Sequence, residues 1–474
     1  MSETKMSGYR WVICTMLFFA TTINYLDRQV LSLTWKDFIV PEFHWNNNDY
    51  GTITAVFSIA YAASMLIAGK FVDWMDTKKG FLWAIAVWSV GACLHAYCGI
   101  ATSGIVAGKW LVGFEGAKDA IATVGNIAKV TSVSVTLFIF ARIVLALGEA
   151  GNFPAAIKAT AEYFPKKTRG LATSIFNAGA TIGALAAPVS IPFIAKAYGW
   201  EMSFIIIGAL GFVWMAFWVF IYKKPEVHPK VNLKELQYIQ QDDHATSKQA
   251  LVQKISIGKA LRYKQTWAFA VGKFMTDGVW LFFLFWTPAY LSSVYHLNSV
   301  QSAPQIFVFY TITLLSIIGG WLPTYFVEKK GMNPYAGRMK AMLIFAFFPL
   351  LTLLAQPLGT ISVWIPIIII GIAGAAHQAW SANIFSTVGD MFPKSAIATV
   401  TGIGGMAGGV GSFIINKGSG KLFDYTEETK MRLMGFEGID AGYLIIFGFC
   451  AVNYLIGWAI MKSLVPVYKP IEDL

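Results

Sequence analysis

The uncharged stretch MSFIIIGALGFVWMAFWVFIY, residues 202–222, decides the fold class of this chain. An α-helix of about 20 apolar residues crosses the hydrocarbon core of a bilayer, which is roughly 30 Å thick. Because lipid offers the backbone no hydrogen-bond partners, such a stretch forms a helix, in which the backbone groups bond to one another. The stretch therefore predicts a transmembrane helix.

Similar apolar stretches recur on both sides of this one, so the whole chain reads as a membrane protein. Hydrophobic residues make up 56% of the 474 residues and charged residues only 13%, about half the charge of a typical soluble protein. The short alternating segments of a membrane β-barrel are absent. The predicted fold is an all-α membrane protein with twelve transmembrane helices. These helices are predicted at residues 10–33, 50–73, 81–100, 133–157, 170–194, 202–222, 266–292, 304–327, 338–357, 361–386, 396–416 and 441–464.

Twelve helices place both termini on one side of the membrane, and the basic residues indicate which side. With the N-terminus inside, most of the 37 Lys and Arg residues fall in cytoplasmic loops and tails, as the positive-inside rule requires. This explains the net charge of +11 without nucleic acid, and no basic run alternates with base-stacking aromatic residues. We therefore expect a multi-pass protein of the bacterial inner membrane with both termini in the cytoplasm.

A polar stretch at residues 223–265 separates six predicted helices from six. We predict a cytoplasmic linker there, between an N-terminal six-helix bundle (1–222) and a C-terminal six-helix bundle (266–474). The run Phe-Pro-Lys, followed by Ala-Thr and a glycine-rich helix, occurs at 164–166 and again at 392–394, about half the chain apart. Parallel repeats of six helices are typical of transporters with a binding site at the midplane. Since one chain holds both bundles, we expect a functional monomer.

The charged loop GKFVDWMDTKK, residues 69–79, resembles the signature loop of the major facilitator superfamily, G-x-x-x-D-[RK]-x-G-x-[RK]-[RK]. It departs from that pattern at Trp74 and Asp76. We expect Gly69 to permit close helix packing and Asp73 to accept from a neighbouring helix N-terminus in one gating state. A charged turn that only sets the topology is the alternative. The predicted gating residues of this loop are Gly69, Asp73, Lys78 and Lys79.

Charged residues inside two apolar helices are the most specific feature of the sequence. Asp27 and Arg28 lie in the first helix, and Arg142 and Glu149 in the fourth. A charge inside a membrane helix costs at least ~2.5 kcal/mol, so such groups face a cavity, pair with each other, or both. Arg142 and Glu149 are two turns apart and share one helix face. Counted from the helix ends, the two arginines lie at a similar depth, with Glu149 about 10 Å deeper.

Two arginines and two carboxylates around one cavity suit the transport of an anion together with protons. The arginine side chain binds a carboxylate at two points. A buried carboxyl group can hold a proton at neutral pH, because water no longer stabilises its charge. The alternative is structural: Asp27 pairs with Arg142, or Arg28 with Glu149, and the pairs only fasten helices together.

The run NYLDRQ at 24–29, the Arg142/Glu149 pair and the run FWTPAYL at 285–291 resemble the anion:cation symporter family of the major facilitators, most of all bacterial hexuronate transporters. The likeness covers nearly the whole chain except residues 101–132, a predicted outer-face excursion to which we assign no function. It implies that Arg28 contacts the substrate carboxylate and that Asp27 and Glu149 carry protons. It also implies substrate-site roles for further residues: Tyr25, Tyr61 and Arg142, with His377, Gln378 and Asn383 of the tenth helix as weaker candidates.

Other polar residues allow two interpretations each. Lys273 and Asp277, four residues apart in the seventh helix, either form a gate or only neutralise each other. Asn177 either faces the cavity or bridges helices, and His377 either contacts substrate or packs in the protein interior. Trp280 and Trp286 are candidates for stacking on a sugar ring, although tryptophan is common in membrane proteins.

The predicted function is proton-coupled symport of a sugar acid, a hexuronate such as glucuronate or galacturonate, by alternating access. Galactonate or another organic anion is the alternative cargo, and a non-transporting membrane sensor is the alternative from another class. The sequence contains no nucleophile–base set, no metal-ligand cluster and no phosphate-binding G-x-x-x-x-G-K-[ST] loop, which argues against an enzyme and an ATP-driven pump. We expect no cofactor and no metal. The expected partners are the organic anion, H⁺ and membrane lipid.

Overall fold

A computed structural model describes residues 6–241 and 256–471, and most of these residues are α-helical. In these ranges, ten helical segments are long and apolar enough to cross a membrane. Two short strands, β1 (Arg432–Leu433) and β2 (Phe436–Glu437), form an antiparallel hairpin. The α-helices are, in chain order, α1 (Tyr9–Thr34), α2 (Val40–Phe43), α3 (Asn47–Met75), α4 (Thr77–Ala107), α5 (Phe114–Ala122), α6 (Ile127–Glu149), α7 (Asn152–Tyr163), α8 (Lys166–Tyr198), α9 (Trp200–Ile221), α10 (Leu233–Ile239), α11 (Ile257–Ala260), α12 (Lys264–Tyr295), α13 (Ala303–Thr313), α14 (Ile318–Lys330), α15 (Pro334–Phe347), α16 (Ala355–Gly359), α17 (Trp364–Met391), α18 (Lys394–Glu428) and α19 (Ile439–Leu464).

Each of the twelve predicted transmembrane helices is present, and three of them are broken into two pieces. The broken ones are α6 with α7, α13 with α14, and α15 with α16. Helices α1 and α18 are not among these ten segments. Their 26 and 35 residues nevertheless exceed the length of about 20 that crosses a bilayer core. The prediction of an all-α membrane protein is confirmed.

The helix ends form two faces of the molecule. On one, the terminal face, α1 begins and α19 ends. The short helix α10 packs here, because Glu235 accepts from the backbone N of Tyr9 at 3.0 Å and pairs with Arg10 at 2.9 Å. The other, the opposite face, carries α2, α5 and the β-hairpin. Which face is cytoplasmic stays a prediction.

The predicted linker and the predicted excursion contain short helices. Of residues 223–265, the structure describes 223–241 and 256–265, where α10 and α11 lie; residues 242–255 are outside the described ranges. The division of the chain into two bundles at this stretch stays a prediction. In residues 101–132, α4 continues to Ala107, α5 follows, and α6 begins at Ile127. The two flanking membrane helices are therefore longer than predicted.

Two glycines let the helices that carry the charged residues pack closely against their neighbours. A Cβ at Gly148 would collide with the backbone N of Trp88, so α6 touches α4 directly beside Glu149. A Cβ at Gly183 would collide with the carbonyl O of Thr22, so α8 touches α1 just before Tyr25. Small residues at such positions are how membrane helices approach each other. These contacts fix the positions of α1 and α6, the two helices of the predicted site.

Candidate functional site

Arg28 and Glu149 form a buried ion pair between α1 and α6. Both Nε and Nη2 of Arg28 donate to Oε2 of Glu149, at 2.9 and 2.6 Å. The side chains are 8% and 0% exposed. Arg28 reaches Glu149 although it lies at a different depth, because side chains on a helix lean toward the N-terminal end of that helix. The Arg28–Glu149 bridge, one of the two pairings that the sequence allowed, is thus formed.

Aromatic rings surround the guanidinium group of Arg28. Its Cζ atom lies 5.1 Å from the ring centroid of Tyr25, 4.7 Å from that of Tyr61 and 5.7 Å from that of Phe57. Rings at such distances attract a cation through their electron-rich faces. Tyr25 and Tyr61 are half-buried, so α1 and α3 provide two phenol rings beside the arginine. The structure therefore brings together four of the residues predicted to form the site.

Asp27 and Arg142 lie in the same region, each with a side chain that makes no direct polar contact. Each residue is 1% exposed, and among the described residues neither carboxylate oxygen of Asp27 and no guanidinium nitrogen of Arg142 has a hydrogen-bond partner. The guanidinium group of Arg142 lies 5.2 Å from the ring of Phe57, which also borders Arg28. The alternative Asp27–Arg142 bridge is not present. A buried charge without a direct partner is destabilising by several kcal/mol.

The family model of the Major Facilitator Superfamily matches residues 17–415 of this chain. The chain belongs to the Major Facilitator Superfamily. It is 28% identical to the hexuronate transporter of Escherichia coli (strain K12) over 468 residues, which cover 97% of this chain and 95% of that protein. It is 26% identical to the galacturonate transporter of Dickeya chrysanthemi, over 70% of this chain and 87% of that protein.

A solved structure supports the same fold for this major facilitator. A bacterial homologue of the human lysosomal transporter Spinster, in an inward-facing and occupied conformation, superposes with a TM-score of 0.68 at 16% identity and covers 97% of each chain. The predicted resemblance and the predicted absence of enzyme activity are confirmed, because the family and the relatives are transporters. This facilitator is a multi-pass membrane transporter.

The signature loop of this facilitator differs in detail from the prediction. Among the described residues, no heavy atom of a neighbouring helix lies within 4 Å of a Cβ built at Gly69, so this glycine does not mediate close packing between helices there. Asp73 pairs with Lys158 of α7 at 3.2 Å. It is Asp76 that accepts from the backbone N of Thr77, the first residue of α4. Helix α4 begins four residues earlier than predicted, which moves its N-terminus to Asp76.

The two predicted gating lysines of the loop lie in different surroundings. Lys78 donates to the carbonyl O of Val219 at the end of α9, at 2.6 Å. Lys79 is exposed. Lys78 therefore ties α4 to α9 within the N-terminal helices, and the gating role of the loop stays a prediction.

The tenth-helix candidates lie on α17 and make different contacts. His377 places Nδ1 2.8 Å from the hydroxyl of Tyr454, and its ring stacks parallel to Trp280 at 5.4 Å. Gln378 is half-buried. Asn383 is buried and donates to the carbonyl O of Gly319 at 2.8 Å. The Asn383 amide therefore joins α17 to α14.

Four other predicted residues lie outside the Arg28 cluster. Trp286 is fully buried and donates from Nε1 to Oδ1 of Asn416 at 3.0 Å. Lys273 and Asp277 pair at 2.7 Å on α12, as expected for residues four apart on one helix. Asn177 is exposed on α8, and the choice between its two interpretations stays open.

Sequence reasoning missed the polar contacts that join the N- and C-terminal helices near the opposite face. Asp424 of α18 accepts from the backbone N of Asn47 and of Asn48 at the start of α3, at 2.9 and 2.7 Å. Lys417 donates to Oδ1 of Asn48 at 2.6 Å. Deeper in the protein, the Tyr310 hydroxyl donates to Gln29 at 2.9 Å. We call the contact of Asn47 and Asn48 with Lys417 and Asp424 the α3–α18 clamp.

A second polar cluster lies at the opposite face, where α2 and α5 meet the start of α9. Glu42 of α2 accepts from Nε1 of Trp200 at 2.9 Å and borders a cavity of about 580 Å³. Burial raises the pKa of Glu42 to about 7, although the bond from Trp200 and the charge of Lys118 oppose this. Lys118, on α5, pairs with Glu115 at 3.0 Å and with Glu201 at 3.3 Å. Helix α5, within the stretch 101–132, therefore packs against this polar cluster.

Proposed function

We propose that this facilitator carries a sugar acid, a hexuronate such as glucuronate or galacturonate, together with protons. The observation that carries the proposal is the buried Arg28–Glu149 pair beside Asp27 and Arg142, whose charged groups have no hydrogen-bond partner among the described residues. The names of the relatives, a hexuronate transporter and a galacturonate transporter, support the class of cargo.

The charges of the four residues give a reason for coupling. Two arginines and two carboxylates balance each other, so a bound monoanion would leave the buried site with one net negative charge. A substrate carboxylate that takes the Arg28 nitrogens also displaces Glu149. An unpaired carboxylate at that depth is destabilising by several kcal/mol, and one proton returns the site to neutrality. We therefore propose that Glu149 takes this proton when the anion binds, and that Asp27 is a second site that can carry it.

The remaining predicted residues have places in this mechanism. The phenol groups of Tyr25 and Tyr61 flank Arg28 and would border the sugar ring. Arg142 would approach whichever carboxylate Arg28 has released, because its own nitrogens are unpartnered.

We propose that transport occurs by alternating access, and the contacts between the two sets of helices support this. The α3–α18 clamp joins them near the opposite face, and we propose that this face is the outer one and that the clamp opens to admit substrate. Both termini would then be cytoplasmic, in the bacterial inner membrane, with one chain as the functional unit. The signature loop at 69–79 would act at the terminal face.

Uptake of labelled glucuronate into proteoliposomes tests the proposed function. We expect accumulation above the external concentration when the outside is acidic, loss of accumulation with a proton uncoupler, and competition by unlabelled galacturonate. Stronger competition by galactonate than by either hexuronate would favour the alternative cargo. Accumulation that survives the uncoupler, or no uptake of any sugar acid, would refute the proposal.

A further inference from the structure

We propose that Lys273, Asp277 and Trp280 form the subsite for the uncharged, hydroxyl-bearing end of the substrate, and that they restrict this facilitator to sugar acids with a single carboxylate. The inference rests on the proposed function, because it assumes that the substrate carboxylate is held at Arg28.

The three residues lie on one face of α12. They are spaced four and three residues apart, and residues at such spacings line up on one side of a helix. Lys273 and Asp277 pair at 2.7 Å, with side chains 7% and 21% exposed. The Lys273 ammonium group lies 4.4 Å from the ring of Phe385. The ammonium is therefore covered, whereas the carboxylate keeps an accessible part that can accept hydrogen bonds from sugar hydroxyls.

Asp277 packs against α18, the C-terminal helix that also contacts α3 of the N-terminal helices. A Cβ at Gly408 of α18 would collide with Oδ2 of Asp277, and a Cβ at the adjacent Gly409 would collide with Cβ of Ala62 on α3. Ala62 follows Tyr61, whose ring lies 4.7 Å from Arg28. Two consecutive glycines of α18 thus separate the Asp277 carboxylate from the helix segment that flanks Arg28.

Asp277 and Glu149 also lie at the same depth. Each is about 20 Å from the end of its helical segment at the terminal face, at a rise of about 1.5 Å per residue. A substrate held by Arg28 at one end would therefore meet Asp277 across the interface rather than above or below it.

Trp280 supplies the apolar surface that a sugar ring needs. Its side chain is half-buried, and the ring of His377 stacks parallel to it at 5.4 Å. His377 is held in turn by its 2.8 Å contact with the Tyr454 hydroxyl. An aromatic face beside a partly accessible carboxylate matches a sugar, which carries C–H groups on its faces and hydroxyls around its edge.

The charge of the subsite decides which acids fit. Lys273 and Asp277 neutralise each other, so the subsite offers no free cation to a second substrate carboxylate. A second carboxylate near Asp277 would meet a like charge, and such an arrangement costs several kcal/mol. The subsite therefore selects against dicarboxylic sugar acids, by repulsion as well as by the absence of a free cation.

Uptake of glucuronate and of glucarate, which has a carboxylate at each end, tests this selectivity. We expect the wild type to prefer glucuronate. In Asp277→Asn, Lys273 loses its partner and becomes free to bind the second carboxylate, so the ratio of glucarate to glucuronate uptake should rise by about tenfold or more. Asp390→Asn is the matched control. It also removes a carboxylate from an ion pair of the C-terminal helices, Arg338–Asp390 at 2.6 Å, but near the terminal face, and the ratio should not change.

The possible failures can be told apart. If the wild type binds and transports no sugar acid, the proposed function is wrong. If the wild type transports glucuronate but takes up glucarate equally well, or if Asp277→Asn leaves the ratio unchanged, only this inference is wrong. If Asp277→Asn transports neither acid, binding is measured instead, as the increase in melting temperature that each acid causes. A variant that glucuronate still stabilises more than glucarate does would contradict the inference.

Discussion

Arg28 directs two nitrogens at a single oxygen of Glu149, with Nε 2.9 Å and Nη2 2.6 Å from Oε2. The second oxygen, Oε1, has no hydrogen-bond partner in the described part of the chain. A proton can therefore be added at Oε1 while the ion pair is still in place, and its addition weakens the hold of Glu149 on Arg28. Protonation of Glu149 and the release of Arg28 from the ion pair are then directly coupled.

Glu149→Gln should separate binding from coupling. The amide has the shape of the carboxyl group but takes up no proton, so we expect proton-driven accumulation of glucuronate to fall to equilibration. Exchange of internal for external substrate should continue, since Arg28 is then permanently free. Both are measured in the same proteoliposomes, with a pH gradient for accumulation and with equal pH for exchange.

Glu201→Gln is the matched control for this variant. Glu201 is also a buried glutamate paired with a cation, Lys118 at 3.3 Å, but it lies at the opposite face. Its replacement should leave accumulation coupled to the proton gradient. Accumulation by Glu149→Gln at the wild-type level would show that another group carries the proton.

Arg28→Lys should weaken substrate binding by roughly tenfold or more, because lysine keeps the charge but cannot bind a carboxylate at two points. Arg28→Ala should abolish uptake and also reduce stability. It leaves Glu149 buried without its partner, and breaking a buried pair in this way costs about 3–5 kcal/mol. Thermal unfolding in detergent, with and without glucuronate, measures both effects.

The double variant Arg28→Met/Glu149→Gln separates these two effects. It removes both charges together, so we expect its melting temperature to recover toward that of the wild type while uptake stays absent. Recovery of uptake in the double variant would mean that Arg28 only neutralises Glu149 and does not contact substrate.

The sequence identified Arg28–Glu149 as one of two possible bridges, but it could not show which of the two forms. Asp27, Arg28, Arg142 and Glu149 are conspicuous because charges are costly in apolar helices, and their spacing assigns them to helix faces. Whether Arg28 pairs with Glu149 or Asp27 pairs with Arg142 depends on the direction in which the Arg28 side chain points and on the distance between α1 and α6. That distance is fixed by glycine contacts such as Gly148 with Trp88, which require the packed structure.

The helix ends account for most of what the sequence failed to predict. Helix α18 was expected to end at 416 but continues to Glu428. Lys417 and Asp424 therefore belong to a membrane helix that faces α3, and not to a loop. Similarly, because α4 begins earlier than predicted, its N-terminus is capped by Asp76 and not by Asp73. Polar residues near a predicted helix end carry too weak a signal to show whether the helix continues.

Asp424→Ala should loosen the α3–α18 clamp and expose the interior from the opposite face. A cysteine in place of Gln29 reports this opening, because Gln29 is buried and bonded to Tyr310. We expect its reaction with a membrane-impermeant maleimide to accelerate at least severalfold when Asp424→Ala is added, in a background without the four native cysteines. Glu437→Ala, which breaks the exposed Arg432–Glu437 contact of the hairpin, should have no such effect. An equal rate with and without the Asp424 carboxylate would show that the clamp does not hold this face closed.

The raised pKa of Glu42 predicts how stability depends on pH. Its pKa in the folded protein is about 7, against an ordinary value of 4.5, so the folded state binds the proton more tightly than the unfolded state does. By linkage, the contribution of this group to stability falls as pH rises from about 4.5 to about 7, and it is constant above that range. Glu115 and Glu201 add to the shift, whereas Lys118 opposes it.

Glu42→Gln should therefore raise the melting temperature at pH 8, by about 3 °C, and raise it much less at pH 5, where wild-type Glu42 is protonated in the folded protein. The amide can still accept from Trp200, so the packing of α2 is retained. Melting curves of the two proteins in detergent between pH 5 and pH 8 measure the difference. Glu115→Gln is the control, because that side chain is 84% exposed and its removal should have a small effect at every pH. A Glu42→Gln difference that is the same at pH 5 and pH 8 would mean that the carboxyl group does not titrate in this range.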